Sequence, residues 1–252
     1  MTQPQRVRVL GVPVDRVDMA GAVAFVEERL RDDSALTTVL AVNPEKVYTI
    51  RRDPFLQGFF ESAGLLVPDG IGVVMASNLL YGPGTKRVPG ADLMEELCRR
   101  SASAGWRIFI YGAQEDVNRR AVDVLRTRYP GISIVGRSHG YVPEEGMEAL
   151  IQAINDSAAD LLFVALGSPL QERWMDHHLP RLRVRVCQGI GGTLDAVTGD
   201  VPRAPAVFQR LGLEWFYRLI RQPSRWRRQI VYPRFVIEVL VDALVRRVRP
   251  AR

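Results

Sequence analysis

Several short segments place a chemically active or very small residue at the end of an apolar run. Ala41-Val42-Asn43-Pro44-Glu45-Lys46 sets an amide directly before a helix start. Pro44 at the first helical position makes Asn43 a good N-cap, while the carboxyl end of a strand is equally where open α/β sheets bind ligands. Pro68-Asp69-Gly70-Ile71-Gly72 sets a carboxylate after an apolar strand, with glycines opening a helix. A partly desolvated Asp69 there could take a proton as general base, or it could cap the helix, and the glycines would let a substrate approach the backbone. Lys86-Arg87-Val88-Pro89-Gly90-Ala91-Asp92 puts cations just before a helix start, where amide N–H groups already favour phosphate. An ordinary exposed loop arginine is the plainer reading of Arg87.

Leu166-Gly167-Ser168-Pro169-Leu170-Gln171-Glu172 and Gln188-Gly189-Ile190-Gly191-Gly192-Thr193-Leu194-Asp195 are strand–glycine–helix junctions of the phosphate-binding kind, and Tyr111-Gly112-Ala113 adds a third glycine turn. Three such turns on one sheet edge point to a nucleotide-linked ligand. Neither junction completes Gly-x-Gly-x-x-Gly, because Thr193-Leu194-Asp195 replaces the last glycine, and no Gly-Lys-Ser/Thr ending is present. A nicotinamide dehydrogenase and a P-loop NTPase are therefore disfavoured. His139, His177 and His178 form no metal-ligand set with carboxylates at helical spacing, and the Asp-x-Asp of many metal-dependent sugar transferases is missing. Metal-independent chemistry without a cofactor is expected. His177-His178, at a helix end, reads as a solvated pair.

Positioning these groups requires a layered α/β fold. Trp106 to Gly112, Ile132 to Gly136, Asp160 to Gly167 and Val184 to Gly189 are apolar runs of buried-strand type. Between them, Glu115 to Tyr129, Glu144 to Ala158 and Leu170 to His178 carry helical apolar spacing. Strands alternating with helices of this length predict a Rossmann-like parallel sheet, since parallel neighbours need crossover helices. Upstream, Asp18 can cap a helix over Met19 to Leu30, Thr37 to Val42 and Leu65 to Val67 read as strands, and helices are expected over 45–51, 54–62, 70–80 and 91–104. One continuous sheet or two tightly packed halves would hold all of this. Cys98 and Cys187 read as buried free thiols of a reducing compartment. With no secretory signal and no stretch of about 18 uncharged apolar residues, the chain is expected to stay cytoplasmic.

Charge divides the chain. From Pro202 to Arg252 there are 12 Arg against Glu214, Glu238 and Asp242, a balance of +9, whereas the whole chain carries +6. A helical, basic appendage over 204–252 is thus expected beside an α/β core over 1–203. Ala206 to Ile220 reads as one helix, interrupted by Pro223. From Arg234 to Arg247 the polar residues Arg234, Glu238, Asp242 and Arg246 recur every four positions, which predicts two ion pairs on a helix that is otherwise apolar. Such a helix needs cover from the body, a second protomer or lipid. Arginines interleaved with Trp215, Phe216, Trp226 and Tyr232 suit an anionic membrane surface. A tail of this kind could also bind nucleic acid, and the sheet could serve a nucleotide-sugar dehydrogenase; these are the two alternatives.

Taken together, Val42-Asn43-Pro44-Glu45, Pro68-Asp69-Gly70, Arg87 to Asp92, Gly167 to Glu172, and Gly191-Gly192-Thr193 through Arg203-Ala204-Pro205 to Gly212-Leu213-Glu214-Trp215 resemble the WecG/TagA/CpsF bacterial glycosyltransferases, in the family's order. The resemblance implies inverting transfer of a hexose-type sugar from a UDP-sugar to a polyprenyl-diphosphate-linked saccharide, in surface or exopolysaccharide synthesis, with no nucleic-acid partner. It implies a Rossmann-like core and a C-terminal appendage closing over the site, peripheral on the inner face of the cell membrane, with a homo-oligomer an open option. By position, Asp69 matches the family's proposed general base, Asn43 an acceptor-side residue and Arg87 a diphosphate-binding residue. Gly112, Gly167, Pro169, Gln171, Gly191, Gly192 and Thr193 would line the donor side. Arg218, Arg221, Arg225 and Arg228 would meet UDP, acceptor diphosphate or lipid headgroups. Some relatives carry a hydroxyl residue where this chain has Ala41, so an acceptor-orienting role at that position does not carry over.

Overall fold

Apolar runs become strands here by sending alternate side chains to opposite faces of one sheet. In β5 (Arg107–Gly112), Ile108 and Ile110 enter one core while Phe109 and Tyr111 enter the other. β7 (Leu161–Ala165) divides Leu161 and Phe163 from Leu162 and Val164 in the same way. The computed structural model describes residues 3–31, 36–201, 204–205, 208, 216–217 and 231–248. Its six-stranded sheet also contains β3 (Thr37–Val42), β4 (Leu65–Pro68), β6 (Ser133–Ser138) and β8 (Val186–Gly189), in the order β4-β3-β8-β7-β5-β6, every neighbouring pair parallel. All six strands therefore end on one edge.

Helices cover both faces. α1 (Met19–Arg31), α5 (Gly90–Ala104), α6 (Glu115–Arg128) and α9 (Thr193–Thr198) bury their apolar residues on one side. α2 (Pro44–Arg52), α3 (Pro54–Glu61), α7 (Glu144–Asp156) and α8 (Leu170–His178) do so on the other, as does α4 (Ile71–Tyr81) through Val73 and Ala76. The expected Rossmann-like, continuous sheet is thus the observed one. Cys98 and Cys187 are free and buried, and burial pushes both thiols up, Cys98 to about 12.

One element is absent from the sequence reading: an antiparallel hairpin of β1 (Arg6–Val9) and β2 (Val12–Asp15). Leu10 (φ 51°) and Gly11 (φ 87°) form its two-residue turn, the left-handed pair that matches strand twist. Arg6 grips Asp15 through Nε and Nη2 at 2.8 and 2.9 Å and also donates to the Ala63 carbonyl at 2.9 Å. Buried Asp15 accepts the Leu66 N–H at 2.8 Å, which fastens the hairpin to β4.

At the far end of the chain, α10 (Val231–Val248) lies across α2 and α4. Phe235 and Val239 are buried there, and the two expected ion pairs form, Arg234–Glu238 at 2.7 Å and Arg246–Asp242 at 3.0 Å. Arg51 of α2 joins Glu238 at 2.6 Å. The opposite side of α10 is apolar and open: Val236, Ile237, Leu240, Val241, Leu244 and Val245 are all more than half exposed. Met75 and Leu79 extend exposed apolar surface onto α4. Among the described residues no helix is long and apolar enough to cross a membrane. The helix expected over 206–220 lies outside the described residues except for short helical pieces at 208 and 216–217.

Candidate functional site

The carboxyl ends of β3 and β4 bring Asn43 and Asp69 together. Val42 pairs with Pro68 in register, and the Asp69 N–H donates to the Val42 carbonyl at 3.0 Å. The next residues must then pack turn against turn. A Cβ at Gly70 would stand 2.8 Å from Pro44 Cδ and 3.2 Å from Asn43 Cβ, so only glycine permits this approach. Asn43 does cap α2: its Oδ1 accepts the Lys46 N–H at 2.9 Å from an extended backbone (φ −129°, ψ 172°). Asp69 does not take the corresponding place, because the N-cap of α4 is Gly70. Asp69 stands one residue ahead of that cap, half-buried.

Arg87 reaches this pair from a loop tied down on all sides. Its Nε donates to the Asp69 carbonyl at 2.9 Å, and the following Val88 N–H donates to the Pro68 carbonyl at 2.9 Å. Before it, Asn78 of α4 bonds both backbone groups of Thr85 at 3.0 Å, and Ser77 meets the Thr85 hydroxyl at 2.7 Å. After it, Gln188 of β8 donates to the Gly90 carbonyl at 2.9 Å. The planar guanidinium is therefore held by backbone on the carbonyl side of the same residue that carries the carboxylate.

The glycine turns follow the next strands along the edge. β7 and β8 pair Val164 with Gly189, and β5 and β7 pair Gly112 with Ala165. Gly112 has φ +127°, and a Cβ there would lie 2.4 Å from the Ala165 carbonyl oxygen. Gly167 (φ +74°) and Gly191 (φ +54°) differ: a Cβ at either would meet nothing within 4 Å, so their left-handed backbone rather than crowding selects glycine. Pro169 is the N-cap of α8, Gly192 the N-cap of α9, and Thr193 is buried with its hydroxyl donating to the Ile190 carbonyl at 2.5 Å. Gln171 is 4% exposed and spans the interval, its Oε1 accepting the Gly191 N–H at 3.0 Å.

The profile of the Glycosyl transferase WecG/TagA/CpsF family matches residues 7–249. The chain belongs to this family. It is a glycosyltransferase. Among WecG/TagA/CpsF relatives, a protein of Bacillus subtilis (strain 168) is 35% identical over 231 residues, covering 92% of this chain and 90% of its own. A protein of Bacillus spizizenii is 34% identical over 233 residues, covering 90% of each. Both are named N-acetylglucosaminyldiphosphoundecaprenol N-acetyl-beta-D-mannosaminyltransferase.

In this WecG/TagA/CpsF chain the structure gathers Asn43, Asp69 and Arg87 at one end of the edge and Gly112, Gly167, Pro169, Gln171, Gly191, Gly192 and Thr193 along the rest. Arg218, Arg221, Arg225 and Arg228 lie outside the described residues. Among the described residues there is no cluster of three or more His, Cys, Asp or Glu that could hold a metal ion. The solvated His177-His178 pair is corrected: His178 is buried, 5.1 Å from the Trp174 ring, because the last turn of α8 tucks one of the two inward. Its imidazole titrates below the ordinary range, chiefly because burial disfavours the charged form. The sequence reading passed over Lys46 and Glu172, which form an ion pair behind the glycine turns. The only sequence signal was a buried-type helix position holding a carboxylate beside Gln171.

Proposed function

We propose that this glycosyltransferase moves a sugar from a UDP-sugar to a saccharide on a polyprenyl diphosphate, with inversion and without a metal. The observation that carries this reading is the placement of Asp69, one residue ahead of the N-cap of α4, with Arg87 bonded to its carbonyl at one end of the edge that also carries the glycine turns. Asp69 takes the proton of the acceptor hydroxyl as that oxygen bonds to the anomeric carbon. The bond from that carbon to the UDP oxygen breaks, and UDP leaves as an anion. Arg87, bonded through Nε to the Asp69 carbonyl, is a cation for a diphosphate, of donor or acceptor. Asn43 is an acceptor-side residue, and the turns at Gly112, Gly167 and Gly191-Gly192 take the nucleotide, whose phosphates can approach bare backbone. The names of the two Bacillus relatives support a diphosphoundecaprenol-linked acceptor.

The core ends near residue 203, and the rest is an appendage that meets the inner face of the cell membrane. The exposed apolar residues of α10 with Met75 and Leu79 of α4 support this orientation. Asp69 stands just before α4, so an acceptor anchored in lipid below that surface is carried toward it. Arg218, Arg221, Arg225 and Arg228 add cations for phosphate or lipid. The test is a panel of UDP-sugars offered with a polyprenyl-diphosphate-linked N-acetylglucosamine in vesicles, the product being identified by mass spectrometry. Transfer from one UDP-sugar in the presence of EDTA supports the reading. Transfer only from a different activated donor, or only with added metal, overturns it.

A further inference from the structure

We propose that Glu172 and Lys46 are positioning residues that set the orientation of the Gly191 turn through the side chain of Gln171. Glu172, at the start of α8, is 0% exposed. A buried carboxylate is costly unless paired, and here the Lys46 ammonium meets Oε1 while lying 5.1 Å over the Phe60 ring. The same Oε1 accepts the Gln171 Nε2 at 3.0 Å. An amide has two ends of nearly equal shape, and a carboxylate can accept only from the NH₂ end. Glu172 therefore turns the Gln171 oxygen toward the Gly191 N–H, which donates to it at 3.0 Å.

Space has been left for this arrangement. A Cβ at Gly189 would come 2.8 Å from Gln171 Nε2, so the amide lies flat over the last residue of β8. At the other end, the Lys46 backbone N–H is the one bonded by Asn43. A continuous chain of bonds thus runs from the Asn43 cap through Lys46, Glu172 and Gln171 to Gly191. Among the described residues, Glu172 Oε2 has no partner, so Oε1 alone carries both contacts. A buried ion pair contributes little net stability compared with an apolar pair of the same size, so the role assigned to this one is orientation. This assignment rests on the reading that the Gly191 turn faces the donor nucleotide.

The variants are Glu172→Met, Lys46→Met, the double Lys46→Met/Glu172→Met, Lys46→Arg, and Gln171→Met, which keeps the ion pair and removes only the amide. Two quantities are measured beside the thermal midpoint: hydrogen exchange at the Gly191 amide and the calorimetric Kd for UDP. The Glu172→Met, double and Gln171→Met variants are expected to exchange Gly191 about tenfold faster or more and to bind UDP about tenfold more weakly, as changes behind a ligand site commonly do. Lys46→Arg should retain both values, and the double should melt near the parent. Parent-like exchange and UDP affinity in a double variant that folds, or in Gln171→Met, overturn the assignment. A parent that binds no UDP defeats the donor reading alone, because Gly191 exchange still decides the positioning role.

Discussion

The two ends of the sheet edge solve different problems with different materials. At the β3–β4 end, side chains do the presenting: Asp69, Asn43 and Arg87 are half-buried, and each is held by backbone partners around it. Along β8, β7 and β5 the backbone itself is presented, through left-handed glycines, and the side chains of Gln171 and Glu172 behind it are turned inward and bonded to one another. An end built on side chains can lose its chemistry without losing its fold. An end built on backbone cannot, because the residue that opens the surface is the same one that lets the chain turn.

That contrast can be broken or sharpened by substitution. The largest effect is expected at Asp69→Asn, which is isosteric and leaves the Gly70 cap of α4 in place: transfer should fall by about 10²–10⁴-fold, the range for loss of a general base, with the fold retained. Turnover above half of the parent's would remove Asp69 from the chemistry. Gly112→Ala should do the reverse. A Cβ 2.4 Å from the Ala165 carbonyl, on a backbone at φ +127°, is expected to cost about 3 kcal/mol in denaturant unfolding, as strained non-glycine positions do. A Gly112→Ala protein as stable as the parent would erase the distinction between the two ends. The smallest effect belongs to Asn43→Ala, where losing the bond to the Lys46 N–H should cost about 1 kcal/mol. Asn43→Asp retains an oxygen for that bond, so parental stability with reduced turnover would give the amide a task beyond its cap.

Much of this architecture is legible in the linear order because the physics is local. Ile108 to Tyr111 alternate between two cores, and a run of that kind has few other ways to be buried. The hairpin was harder to read: Arg6 and Arg8 charge its first strand, Pro13 interrupts the second, and its hold on the body is a pair, Arg6–Asp15, whose value depends on Leu66 far along the chain. Asn43 and Asp69 looked alike as residues preceding helices. Backbone dihedral angles separate them, since one is the cap of α2 and the other stands one residue ahead of the cap of α4. Lys46 and Glu172 are 126 positions apart, and no periodicity links them. The family resemblance named segments that the fold brings to one sheet edge, but it did not show which side chains act on a ligand and which act on one another.

The Asp15 carboxylate has a consequence of another kind. β4 is the last strand of the sheet, and the strand that leads into Asp69 is for that reason a border where an unrelated chain could add itself by main-chain bonds if nothing covered it. By occupying the Leu66 N–H, Asp15 removes one rung from that ladder, and the hairpin behind it stands where an incoming strand would lie. The same small device therefore bears on whether the protein survives crowding: a chain deprived of Asp15 would be prone to aggregation along the strand it most needs to keep open.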